Sequence, residues 1–253
     1  MNTSTALSGK TILVTRPQEQ AEALNGLIRA AGGLPVTFPV IEIRPPAHPA
    51  RLDDLLARLD QFDLAIFISP TAVARAWGRI TATRSWPKNL RAAAVGQGSA
   101  RALNERGIRD VIVPAGKSDS EALLALPALQ AVAGKRVVIF RGEGGRELLA
   151  QTLSGRGAQV EYAECYRRTK PDPDIAPLLA QPISAIVLTS RESLLNFREL
   201  LGPAWPQFKP LPVFVPHERI AAACHEQGMD NVHIAAGGDA SMIQAMIKFF
   251  RDE

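Results

Sequence analysis

The sequence predicts an α/β protein built from two copies of one unit, each a parallel sheet with helices on both faces. Three observations predict it. Short apolar runs of strand length alternate with helical periodicity along the whole chain. The halves repeat at a nearly constant offset: Ile12-Leu-Val-Thr-Arg16 matches Val137-Val-Ile-Phe-Arg141 (137 − 12 = 125), and Gly107-Ile-Arg-Asp-Val-Ile-Val matches Gly228-Met-Asp-Asn-Val-His-Ile (228 − 107 = 121). Pro46 and Pro171 share the first offset, Ser69 and Ser190 the second. Finally, Val36 to Pro46 and Tyr162 to Pro173 each run from a strand into proline and charge. Proline fixes φ and extends the residue before it, so both read as stiff crossings between two lobes.

The elements follow in order. Thr11 to Thr15 is an apolar run closed by Arg16-Pro17, a buried strand. Glu19 to Ala31 carries Leu24, Leu27 and Ile28 at helical spacing and stops at Gly32-Gly33. Leu34 to Ile43 reads as one strand, and Leu52, Leu55, Leu56 and Leu59 as a helix. Asp63 to Ser69 is a strand, after which Ser69-Pro70-Thr71 starts a helix with serine as cap. Ala92 to Gly96 is a strand, Ser99 to Arg106 a helix and Asp110 to Pro114 a further strand. Ser118-Asp-Ser-Glu121 has the form of a capping box.

The pattern then restarts. Lys135 to Arg141 is a strand, Gly144 to Leu153 helical, and Val160 to Tyr166 a strand entering the second crossing. Ala185 to Ser190 is a strand and Arg191 to Leu201 a helix. Pro212 to Pro216 is a strand, Glu218 to Gln227 a helix and Asn231 to Ala235 the last strand. Asp239 caps an amphipathic helix carrying Ile243, Met246, Ile247 and Phe250.

Composition narrows the function. A chain of 253 residues, 46% hydrophobic and 21% charged, can bury real cores, and its longest apolar runs are far short of a membrane span. The first nine residues show neither a basic nor an apolar export region, so the cytoplasm is the expected location. Cys165 and Cys224 lack metal or redox spacing and read as reduced, buried thiols. The net charge of +4 comes without long basic runs or Arg/aromatic interleaving, which argues against nucleic acid and suits a polyanionic small molecule.

Several motifs fail. Gly96-Gln-Gly98-Ser99-Ala-Arg101 follows a strand, but its sixth position is Arg where a dinucleotide fingerprint needs Gly or Ala. Gly134-Lys135 precedes a strand instead of following one, so it is no phosphate loop. His217-Glu218 lacks the second histidine of a zinc helix. What persists is a pattern in which strand ends deliver Ser, Thr, Gly or Arg into helix starts: Thr15-Arg16, Ser69-Pro70-Thr71, Gly96 to Ser99, Arg141-Gly142-Glu-Gly144-Gly145-Arg146, Ser190-Arg191 and His217 to Arg219. Helix N-termini offer free N–H groups and a positive dipole end, which suits anions. Each alone is an ordinary cap, but together with the arginines and the repeat they point to a polyanion site. Two arginines around three glycines suggest backbone that approaches a ligand closely.

Thr15-Arg16-Pro17, Phe67-Ile-Ser69-Pro70, Ala94-Val95-Gly96 with Ser99-Ala100, Arg141 to Leu148, Glu164-Cys165-Tyr166 with Arg168, and Thr189-Ser190 stand in an order that resembles the uroporphyrinogen-III synthases, in their gammaproteobacterial form. The resemblance implies two flavodoxin-like doubly wound domains joined by a two-stranded linker. One would comprise residues 1–38 plus 173–253 and the other residues 48–163, with 39–47 and 164–172 as linkers. It implies a lyase that converts hydroxymethylbilane, a linear tetrapyrrole with eight carboxylates, to uroporphyrinogen III with loss of water, through a spiro intermediate that inverts ring D. No cofactor or metal is implied. Tyr166, facing the cleft, would be the proton donor. Arg16, Ser69, Pro70, Thr71, Gly96, Ser99, Arg141, Gly142, Gly144, Gly145, Arg146, Ser190 and Arg219 would bind substrate. At Arg219 distant relatives often carry Thr, so a hydroxyl role does not transfer there, although Arg suits a carboxylate better. A monomer is expected, with hand-over of substrate from hydroxymethylbilane synthase. The alternative is a non-catalytic two-lobed binding protein for a polyanion.

Overall fold

The computed structural model describes residues 5–252. The expectation for the amino-terminal stretch therefore falls partly outside the described residues. The chain runs β1 (Thr11–Val14), α1 (Gln18–Ala30), β2 (Leu34–Thr37), β3 (Glu42–Arg44), α2 (Pro49–Ala57), β4 (Leu64–Phe67), α3 (Pro70–Thr83), β5 (Arg91–Ala94) and α4 (Gln97–Asn104). It continues through α5 (Ser120–Leu124), α6 (Pro127–Gln130), β6 (Arg136–Gly142), α7 (Leu148–Gly155), β7 (Gln159–Thr169), α8 (Ala176–Leu179) and β8 (Ala185–Val187). It ends with α9 (Arg191–Leu201), α10 (Trp205–Phe208), β9 (Val213–Val215), α11 (Glu218–Glu226), β10 (Val232–Ile234) and α12 (Asp239–Asp252).

Two compact units result: Met1–Glu42 with Thr169–Glu253, and Ile43–Arg168. The first holds a sheet of order β10-β9-β8-β1-β2, parallel at every pairing. In chain order that is the 2-1-3-4-5 winding of flavodoxin-like folds. Ile12, Val14, Ala185, Val187 and Phe214 bury one sheet face under α1 and α12, where Leu24, Ile28, Met242 and Met246 meet them. Val, Ile and Leu recur here because a parallel strand is covered on both sides.

The second unit holds the order β3-β7-β6-β4-β5. One face packs Phe67, Phe140 and Ala163 against Leu56, Val73 and Leu103 of α2, α3 and α4. The other packs Ile66 and Ile139 against Leu123, Leu129 and Leu153 of α5, α6 and α7. The internal repeat is visible strand by strand. The bridge Ala93↔Ile112 stands where Phe214↔His233 stands in the first sheet, each residue displaced by 121 (214 − 93, 233 − 112). β3 is the addition that the other sheet lacks.

The structure corrects several sequence expectations. Leu34 to Ile43 is not one strand. Pro39 has no N–H to give, and after Val40 bonds to Thr15 the chain leaves the first sheet and enters the second as β3. Asp110 to Pro114 forms only the single bridge at Ile112, with Asp110 at a left-handed φ of 55° two residues earlier. The helix expected from Gly144 begins at Leu148, since Gly144 and Gly145 have φ of 70° and 97°. Asp119, not Ser118, caps α5, accepting from the Ala122 N–H at 2.7 Å. The strand expected over Val160 to Tyr166 runs on to Thr169 as β7, so it takes in most of the stretch expected as the second linker.

Candidate functional site

In a doubly wound sheet, ligands bind beyond the carboxyl ends of the strands, where the winding reverses. In the second unit that point lies between β4 and β6. Their register, Phe67↔Phe140, brings Ser69 and Gly142 to the same rim. β7 adds Tyr166 opposite Gly142, and β5 adds Gly96. In the first unit the equivalent point lies between β1 and β8, with Arg16 following one strand and Ser190 the other.

Tyr166 owes its position to a bulge. Arg141 pairs with Glu164, but Gly142 pairs with Tyr166, so Cys165 is an extra residue in β7. Strict alternation would put Tyr166 on the same face as Tyr162, which packs against the α5–α7 side. The bulge turns it to the α2–α4 side, with Ala163 and Cys165. There the ring is only 2% exposed. Its hydroxyl lies 3.3 Å from Ser69 Oγ. Ser69 also caps α3, its Oγ accepting from the Ala72 N–H at 3.1 Å. A hydroxyl has two acceptor sites and one proton, so Ser69 can take both bonds and still donate.

Three of the candidate glycines make room for neighbouring side chains. A Cβ on Gly142 would stand 2.7 Å from Tyr166 Cε2, and one on Gly145 would stand 2.8 Å from Arg141 Nη2. Gly96 makes room for Ser118, 2.8 Å from such a Cβ to its Oγ. These positions let the protein's own side chains approach its backbone, whereas Gly144 has a left-handed φ and nothing within 4 Å of where its Cβ would stand.

Two expected ligand groups are withdrawn from solvent. Ser99 is 3% exposed, on the buried face of α4. Arg141 is also 3% exposed; its guanidinium bonds the Gly142 and Arg146 carbonyls and Glu147 Oε1, and lies 4.5 Å over the Tyr162 ring. A buried cation requires such a partner. Arg16 is paired with Asp239 at 2.7 Å. Ser190 caps α9 in a reciprocal box, accepting from the Ser193 N–H at 2.9 Å while its own N–H donates to Ser193 Oγ at 3.1 Å. Pro70, Gly144, Arg146 and Arg219 are exposed, and Thr71 is half-buried at the start of α3. Sequence reasoning missed Glu147, Tyr162 and Asp239. Glu147 adjoins the Arg-Gly run and could have been found there; Tyr162 and Asp239 lie far in sequence from Arg141 and Arg16, so nothing local marks those pairings.

Among the described residues no cluster of His, Cys, Asp and Glu could hold a metal ion, and no helix is long and apolar enough to cross a membrane. Burial pushes the Cys165 thiol up to about 12, so it is an inert core group, as expected.

Fold and rims together define a protein of two flavodoxin-like units, each with hydrogen-bond donors and arginine at the carboxyl edge of its sheet. The chain belongs to the uroporphyrinogen-III synthase family: residues 22–244 match the family model described as uroporphyrinogen-III synthase HemD. It is 38% identical over 236 residues to the uroporphyrinogen-III synthase of Salmonella typhimurium, covering 90% of this chain and 96% of that one. Identity to the Escherichia coli uroporphyrinogen-III synthase is 36% over the same coverage. In fold it is similar to a crystal structure of mutant uroporphyrinogen III synthase from Thermus thermophilus, with a TM-score of 0.64 and 19% identity over 97% of this chain and 100% of that one. The uroporphyrinogen-III synthetase of Helicobacter pylori matches with a TM-score of 0.61 and 17% identity, over 95% and 99%.

Proposed function

We propose that the protein is a uroporphyrinogen-III synthase, cyclising hydroxymethylbilane to uroporphyrinogen III with loss of water and inversion of ring D. The observation that carries this reading is the match to the Salmonella typhimurium enzyme, which spans nearly all of both chains. The chemical demand is chiefly conformational. After the terminal hydroxyl leaves, the resulting azafulvene can close unaided to the wrong isomer, so the protein must hold the chain for attack at the substituted carbon of ring D. It must also supply one proton to the departing hydroxyl.

Tyr166 is the proposed source of that proton. Its burial makes Ser69 the natural relay: Tyr166 donates to Ser69 Oγ, and Ser69 passes its own proton to the leaving oxygen at the rim. The exposed Arg146 and Arg219, the half-buried Arg16, the N–H groups of the Gly144–Gly145 turn and the starts of α3, α4, α9 and α11 are the proposed carboxylate contacts. Pro70, Thr71, Gly96 and Ser190 line those helix starts. The protein acts in the cytoplasm as a monomer, taking its substrate from hydroxymethylbilane synthase. The test is to incubate hydroxymethylbilane with and without the protein, oxidise the products and separate the isomers. Enrichment of isomer III supports the reading, and a product mixture matching the protein-free control refutes it.

A further inference from the structure

Arg141 is the most deeply buried charge at the rim, and its surroundings account for the loop that follows it. The guanidinium donates to the Gly142 carbonyl at 3.2 Å and to the Arg146 carbonyl at 3.4 Å, so it closes the loop from both ends. Gly145 leaves the space that Nη2 occupies. The root of the loop is pinned too: the Glu143 N–H donates to the Tyr166 carbonyl at 2.8 Å, and the Glu143 carboxylate accepts from the Ala47 N–H. Arg141 itself is held by Glu147, whose Oε1 accepts from Nη1 at 3.3 Å. The other oxygen, Oε2, accepts from the Tyr162 hydroxyl at 2.6 Å, and the Tyr162 ring supports the guanidinium from below. Glu147 is half exposed, at 51%, while Arg141 is 3% exposed, so the carboxylate is the charge that reaches inward from the surface.

We propose that Glu147 is a positioning residue for substrate binding: with Tyr162 it latches the buried Arg141, and the latched guanidinium holds Gly142–Arg146 in the one shape that presents the Gly144–Gly145 turn and Arg146 to a substrate carboxylate. The inference rests on the synthase reading, under which this loop meets a polycarboxylate. The physical reason is an asymmetry. A guanidinium deprived of its carboxylate cannot stay desolvated, so the side chain moves toward water and the loop opens with it. An opened loop weakens ground-state binding and leaves the proton transfer at Tyr166 intact, which is the signature of a raised KM at constant kcat.

Two variants test this. Glu147→Gln removes the charge and keeps an acceptor for Tyr162. Tyr162→Phe removes the hydroxyl and keeps the ring under Arg141. The latch predicts that Glu147→Gln raises KM for hydroxymethylbilane about tenfold with kcat within about twofold, and that Tyr162→Phe raises it about threefold. The double variant goes no further than Glu147→Gln, since both act through Arg141. Amide hydrogen exchange across residues 142–147 speeds up in the same order. Faster exchange or lower thermal stability with an unchanged KM overturns the proposal, because the cluster would then serve only the fold. Wild-type protein that forms no isomer III overturns the synthase reading instead, and the proposal with it. Wild-type activity with variants of unaltered KM defeats the proposal alone.

Discussion

Replacing Gly142 by alanine isolates the contact that seats Tyr166. The added Cβ would lie 2.7 Å from Cε2, 2.8 Å from Cζ and 3.2 Å from Cδ2 of the ring. Real Cβ contacts do not come that close, and the ring is fixed by the buried side chains around it. The φ of Gly142 lies outside the left-handed region, so the backbone tolerates alanine and the whole penalty is steric. Overpacking a dense core costs about 1–3 kcal/mol, or a melting temperature lower by roughly 3–10 °C. The displaced ring also loses its 3.3 Å bond to Ser69, so formation of isomer III falls with stability. Urea unfolding in two backgrounds separates the cause. In a Tyr166→Leu background the ring is gone, and Gly142→Ala should cost at least about 1 kcal/mol less than in the wild type. Equal costs in both backgrounds would refute the argument that Gly142 is there for Tyr166.

Further outcomes follow from the same geometry. Ser190→Ala removes the acceptor for the Ser193 N–H and should cost about 1 kcal/mol in urea unfolding. Ser193→Ala in that background should add a further cost of about 1 kcal/mol, because the residue 190 N–H still donates to Ser193 Oγ after the first substitution and loses that acceptor in the second. Glu161 is held below the usual carboxylate range, first by its hydrogen bonds to Arg58 at 2.9 and 2.6 Å and then by Arg136. A depressed folded pKa stabilises above the unfolded value and is lost as pH falls through the folded one. Glu161→Gln should therefore cost about 1 kcal/mol or less at pH 7, since the pair is a third exposed, and the difference from wild type should shrink as pH drops below 4.5.

Much of the fold was legible because parallel strands buried on both faces write themselves as apolar runs. Thr11–Val14 and Leu64–Phe67 needed only their composition, and the repeat tied them to partners 121 to 125 residues away. What escaped was set by single backbone events. The bulge at Cys165, which decides the face on which Tyr166 lies, leaves no mark in composition or period. The left-handed glycines at 144 and 145 were visible as glycines, yet helical periodicity around them read as continuous. The candidate site was legible as a set of strand ends, and Ser69, Gly142 and Tyr166 do meet. The roles within it were not legible, because burial separates Arg141 and Ser99 from the exposed Arg146 and Arg219.

The decisive measurement is the isomer composition formed from hydroxymethylbilane, compared side by side for wild-type protein, Tyr166→Phe and a protein-free control. The wild type should yield isomer III. The variant should remain folded, since it loses only one hydroxyl contact, and form isomer III about 100-fold more slowly. Wild-type product indistinguishable from the control would contradict the synthase reading, and a Tyr166→Phe rate equal to wild type would contradict the assignment of the proton to Tyr166.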